Sequence, residues 1–174
     1  MNSANMLLAA PEFWVLVMAC VILIVDLFLS EERRGIIHML AIITLIFAAI
    51  ITLRSDYMAD GARAALAFNG SFIRDPMGDV LKLFSYLTLA IVYTYAKYFL
   101  REFRMFRADF YTLSLFALLG VMLLISANSL VMVYLGLELI SLSSYAWVAF
   151  DRDSRIGSEA SMKYFVGGSM AAGW

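Results

Sequence analysis

The chain has 174 residues, of which 63% are apolar and 16% charged, and its mean hydropathy is +0.85. An average soluble domain is roughly 45–50% apolar and about 25% charged, so this composition belongs in a bilayer. A formal net charge of −1 argues against nucleic acid as a partner, and the single cysteine, Cys20, excludes an intrachain disulfide.

The N-terminal MNSANMLLAAPEF carries no Lys or Arg ahead of the first apolar run. That run outlasts a signal-peptide core and reads as an uncleaved first span. Crossing a hydrocarbon layer of ~30 Å takes ~20 residues. Phe13 to Leu29, Ile36 to Leu53, Val80 to Tyr98, Phe110 to Ser126 and Leu130 to Phe150 approach that length, and a sixth run starts near Ser158 and continues at Trp174. From Ser158 to Trp174 a helix reaches about 25 Å, and no charge or aromatic belt closes it. The sequence thus predicts about six spans in an all-α, polytopic transmembrane bundle, and points to a longer chain.

The sizeable loop lies between the second and third spans. Asn69-Gly70, between Leu66-Ala67-Phe68 and Phe72-Ile73, predicts a small β-hairpin. Asp75-Pro76 predicts a helix N-cap followed by proline at the first helical position. Asp26, Asp79 and Lys82 lie within about two turns of loop charges and read as snorkelling side chains, and His38 reads as structural.

Connections after the first, third and fifth spans carry Arg33, Arg34, Lys97, Arg101, Arg104, Arg107, Arg152 and Arg155, against Arg54, Arg63 and Arg74 on the opposite side. By the positive-inside rule the N-terminus lies outside.

One residue breaks the fifth run. Between Phe110 and Phe150 the only charged residue is Glu138. It stands about 15–18 Å from either end of its helix, near the membrane midplane. An ionisable group there costs at least ~2.5–3.5 kcal/mol on insertion scales and usually faces a bundle interior or a water path. Tyr134, Ser141 and Tyr145 share its helix face and make a polar stripe that could hold water. A protonated carboxyl bonded to a neighbouring helix is one reading; an ion or proton relay is the reading the stripe favours.

Lys163 follows Glu159 by one turn. If the connection DRDSR centres the helical hairpin, Gly167 falls opposite Glu138 and Lys163 is offset by about 6 Å. The two could meet, or Lys163 could snorkel with Glu159. Gly167, Gly168, Ala171 and Ala172 are spaced for close helix packing. Desolvation raises a carboxyl pKa and a nearby ammonium lowers it, so a glutamate with a movable lysine can load and release a proton. Uphill transfer costs ~2.3 kcal/mol per charge per 100 mV, and the sequence contains no P-loop, CxxC or GxGxxG to drive it.

LGLELISLSSYAWVAF, the connection DRDSR, EASMKYFVGGSMAAG, PEFWVLVMACVILIVDLF and FIRDPMGDVLKLF resemble subunit N of the proton-pumping NADH:quinone oxidoreductase, respiratory complex I, in the antiporter-like subunit family. Two departures are Leu137, where related subunits usually carry tryptophan, and Ser143-Ser144, where many carry proline. The resemblance implies roughly fourteen helices, of which this is the N-terminal third. Residues 1–109 then hold three peripheral helices and the hairpin-bearing loop, and 110–174 the start of a five-helix repeat. It implies Glu138 and Lys163 as proton-pathway residues, with no cofactor or metal in this chain. NADH, FMN, iron–sulfur clusters and quinone are expected in partner subunits, the other membrane subunits of complex I are the partners, and the site is the bacterial inner membrane rather than the mitochondrial one. A multisubunit Na+/H+ antiporter and a structural membrane scaffold are the alternatives.

Overall fold

The computed structural model describes residues 3–28, 35–54, 65–102, 108–148 and 155–173. The order of elements is α1 (Ser3–Leu8), α2 (Ala10–Phe28), α3 (Gly35–Leu53), β1 (Ala65–Ala67), β2 (Phe72–Arg74), α4 (Pro76–Glu102), α5 (Ala108–Ile125), α6 (Leu130–Val148) and α7 (Arg155–Ala172). The all-α membrane bundle is as expected, but the count of spans is not. Among the described residues four helices, Ala10–Phe28, Gly35–Leu53, Pro76–Tyr98 and Leu130–Val148, are long and apolar enough to cross a membrane. The apolar part of α5, Asp109–Ile125, is shorter, because the chain turns back at Ala127-Asn128 to pair with the hairpin. Glu159, Lys163, three serines and three glycines dilute α7 below the hydropathy of a self-sufficient span.

The core runs between α2, α3, α4 and α5. Val15, Ala19 and Ile22 of α2 and Ile37, Ala41, Leu45 and Ala48 of α3 recur every three or four residues and are buried together against Tyr111, Leu115 and Met122 of α5. Alanines in that stripe let the helices approach closely, the membrane solution to packing without a hydrophobic drive. Interior polar groups are spent locally. Thr44 and Thr52 donate to the Leu40 and Ala48 carbonyls at 2.7 and 2.9 Å, and the Tyr93 hydroxyl bonds Ser114 Oγ at 2.7 Å. His38 Nδ1 lies 3.2 Å from the Tyr111 hydroxyl, in keeping with a structural histidine.

The hairpin is antiparallel, with Ala67 opposite Phe72. Phe68, Asn69 and Gly70 all take positive φ, at 51°, 56° and 85°, so the connection is longer than a two-residue Asn-Gly turn and Phe68 belongs to it. Ile73 donates to the Ser126 carbonyl at 2.9 Å and Asn128 to the Ser71 carbonyl at 3.0 Å, which fastens β2 to the α5–α6 turn. Asp75 caps α4 as expected, its Oδ1 accepting from Gly78 N at 3.0 Å with Pro76 opening the helix.

The snorkelling reading of Asp79 and Lys82 is corrected. Both are buried, at 1% exposure each, as are Arg74 at 3% and Glu12 at 5%. Lys82 Nζ meets Glu12 Oε1 at 2.6 Å over the Phe72 ring. Arg74 Nε meets both Asp79 oxygens at 3.2 Å, and its other nitrogens reach the Leu8 carbonyl at 3.2 Å and the Thr52 carbonyl at 3.4 Å. These side chains turn inward because each finds an opposite charge or an unspent carbonyl at a helix end. Arg74 is therefore a core residue, not the loop charge the sequence suggests.

Candidate functional site

Helix α6 begins where Ser129 Oγ accepts from Met132 N at 3.3 Å. It is pressed against α5 through one crossing. A Cβ at Gly120 would stand 2.9 Å from the Gly136 carbonyl, and one at Gly136 would stand 2.9 Å from the Gly120 carbonyl, both closer than real side chains come. Only two glycines allow this approach. Glu138 is two residues on from Gly136, about 200° around the helix, so it looks away from α5 and is half-buried.

Tyr134 and Ser141 lie on that face one turn to either side, and Tyr145 a turn further on. Ser143 and Ser144 donate to the Leu139 and Ile140 carbonyls at 2.8 and 2.9 Å. Glu138, Ser141 and Tyr145 have no hydrogen bond or ion pair among the described residues, so the stripe consists of unspent polar groups. An apolar helix keeps such groups only where water, another polar group or another helix meets them.

The Tyr145 ring lies 5.0 Å from that of Tyr164 and 5.5 Å from that of Phe165, both edge to face, and a Cβ at Gly168 would overlap the Tyr145 hydroxyl. These contacts set the register of α6 against the returning α7. Glu138, seven residues deeper than Tyr145, lies about 10 Å further from the connection, so its level on α7 falls beyond Met170 rather than at Gly167. Lys163 is instead exposed, its Nζ bonded to Glu159 Oε1 at 2.7 Å. The structure thus brings Lys163 to Glu159, and no contact joins it to Glu138 among the described residues. Arg104, Arg107 and the connection at 149–154 lie outside the described residues. Among the described residues no group of His, Cys, Asp and Glu is placed to hold a metal ion.

Residues 127–174, from the α5–α6 turn through the stripe and α7, match the family described as NADH:quinone oxidoreductase/Mrp antiporter, TM. The NADH-quinone oxidoreductase subunit N of Thiobacillus denitrificans is 47% identical over 165 residues, which cover 95% of this chain and 33% of that protein. The corresponding subunit N of Herminiimonas arsenicoxydans is 39% identical over 178 residues, covering 100% of this chain and 35% of that protein. Along nearly its whole length the chain is similar to part of subunit N. It spans about a third of the length of the curated relatives it matches. A chain in the structure of respiratory complex I from Thermus thermophilus with bound Aureothin shares the fold, with a TM-score of 0.70 over 94% of this chain and 34% of that one at 24% identity.

The sequence alone marked Glu138 because it is a lone charge in an apolar run. Glu12 and Arg74 escaped it. The available signal was Pro11-Glu12 at the head of one span and Arg74, Asp79 and Lys82 at the head of another, positions that come together only when α3 and α5 pack between α2 and α4 and bring the heads of those two helices within reach.

Proposed function

We propose that this chain is part of a proton-translocating membrane subunit of an NADH:quinone oxidoreductase, with Glu138 the central proton-carrying group and Lys163 a second pathway residue. The observation that carries the reading is the carboxylate in the middle of α6 that has no hydrogen bond or ion pair among the described residues, within a chain 47% identical to a subunit N along 95% of its length. A carboxyl at such depth changes protonation with modest changes in neighbouring charge or water. Lys163, bonded to Glu159 in this arrangement, supplies a cation that would act on the pathway from the connection end.

NADH oxidation, flavin and cluster chemistry and quinone reduction belong, on this reading, to partner subunits, and this chain carries no redox centre. Its partners are the other membrane subunits and the lipid bilayer; its site is the bacterial inner membrane with the N-terminus outside. Residues 1–109 form the peripheral three-helix part, and 110–174 open the antiporter-like repeat. That division would be one of ancestry, since Tyr111, Leu115 and Met122 share a core with α2 and α3. The matched family also bears the name of Mrp antiporters, so a cation/proton antiporter subunit is the second reading; pumping that depends on added Na+ and not on NADH would select it.

The test is made in the intact membrane complex. Glu138→Gln keeps shape and hydrogen bonding but removes the titrating group, so the complex should assemble on a native gel while proton uptake into inverted vesicles falls severely. Glu138→Asp should retain a substantial part, and Lys163→Ala should do less harm than Glu138→Gln. Full pumping by an assembled Glu138→Gln complex would make the carboxylate structural.

A further inference from the structure

The stripe on α6 has a direction. On the helix face of Glu138 the next polar group toward the α6–α7 connection is Ser141, and the one after it on that face is Tyr145. Hydroxyls elsewhere in the bundle are mostly spent on their own helices: Ser85, Thr88 and Thr94 donate to carbonyls four residues back at 3.0, 2.9 and 2.9 Å, as do Ser143 and Ser144 on α6 itself. Ser141 does not bond back in this way, and the Tyr145 hydroxyl meets Gly168, a residue with no side chain, instead of a donor or acceptor. At ~1.5 Å per residue the steps are about 4.5 Å from Glu138 to Ser141 and about 6 Å from Ser141 to Tyr145 along the axis. Water bridges polar groups that stand too far apart for a direct hydrogen bond.

We propose that the Tyr145 hydroxyl, seated on Gly168, is the group that next carries the proton between Glu138 and the α6–α7 connection, with Ser141 as the intermediate step. This rests on the proton-carrying reading of Glu138. The transfer conserves protons at every station. A hydroxyl oxygen accepts a proton from the water behind it while its own O–H proton passes to the water ahead, so Ser141 and Tyr145 end neutral and bridging waters, one between each pair of stations and one beyond Tyr145, are the only co-reactants. Gly168 is the positioning residue. Any side chain there would push the phenol off its seat, whereas the edge-to-face contacts with Tyr164 and Phe165 hold the ring whether or not it bears a hydroxyl.

Three variants of the full-length chain in the intact complex, Tyr145→Phe, Ser141→Ala and Gly168→Ala, test this beside Glu138→Gln. Proton uptake per NADH oxidised is measured in inverted vesicles in H2O and D2O, with uncoupled NADH oxidation and native-gel assembly alongside. A proton-transferring group supplies on the order of 100-fold or more; with a water bypass, Tyr145→Phe should assemble, keep uncoupled oxidation and lose about tenfold in pumping. Its slowing in D2O should exceed that of the wild type, a change that a packing defect does not produce. Ser141→Ala and Gly168→Ala should lose pumping in the same direction. Wild-type pumping in Tyr145→Phe beside a dead Glu138→Gln overturns the relay and leaves the function standing. Full pumping in Glu138→Gln overturns both. If Tyr145→Phe fails to assemble, Ser141→Ala decides: normal pumping with an unchanged D2O effect overturns the relay.

Discussion

Glu12 and Lys82 form a buried pair in which Glu12 Oε2 has no hydrogen-bond partner among the described residues. Desolvation of both ions offsets much of their attraction, so the pair adds little stability against an apolar pair of equal volume, yet removing one partner strands the other. Lys82→Met should therefore destabilise the folded chain by about 3–5 kcal/mol, whereas Lys82→Met combined with Glu12→Leu should recover most of that loss. Thermal unfolding in detergent of the wild type, the single and the double variant measures it. A single variant as stable as the wild type would show that Glu12 reaches water. Arg74 is more deeply committed, because its guanidinium serves Asp79 and two helix-end carbonyls at once. Arg74→Lys, which keeps the charge but loses the planar fork, should lower the unfolding temperature in the same assay, and an unchanged temperature would mean that a point charge suffices.

At the scale of elements, the contrast among glycines is testable. Gly120 and Gly136 face each other's carbonyls, while a Cβ at Gly167 meets nothing within 4 Å. Gly120→Ala should cost about 1–3 kcal/mol by forcing α5 from α6, and Gly167→Ala should be close to neutral in this chain. Equal effects of the two in a native-gel and unfolding comparison would refute the crossing as drawn. The helices themselves were legible, since runs of apolar residues punctuated by Asp75-Pro76 and Asn128-Ser129 place α2 to α6 within a few residues of their bounds. Glu138 was legible because no other charge stands near it in sequence. The Gly120–Gly136 crossing, the Glu12–Lys82 pair and the register of α7 were not. Each depends on which faces of two helices meet, and an apolar run of near-uniform composition carries no period that says so. The Gly167 alignment failed for that reason: it assumed a symmetrical connection, and Tyr145 seated on Gly168 shifts the two helices past it.

For the whole molecule, the hairpin, the N-terminus of α2 and the α5–α6 turn gather at one end, and Lys97 marks the other. Counting Arg74 among buried residues leaves fewer loop cations at the hairpin end, which sharpens the asymmetry on which the proposed N-terminus-outside orientation rests. In a Cys20→Ala background, Asn69→Cys at the hairpin tip should react with an impermeant thiol reagent from the outside, and Lys97→Cys from the cytoplasmic side. The reverse labelling would invert the proposed topology.

The buried pair has a consequence for how the chain enters the membrane. Seventy residues separate Glu12 from Lys82, and Arg74 bonds a carbonyl 66 residues behind it. At a synthesis rate of ~5–20 residues per second, Glu12 emerges roughly 4–14 s before its cation exists. Throughout that interval the first span must hold its carboxylate without the cation that pairs it in the folded chain. The first two helices thus enter as a provisional pair, and the arrival of the hairpin and the head of α4 is the event that commits them.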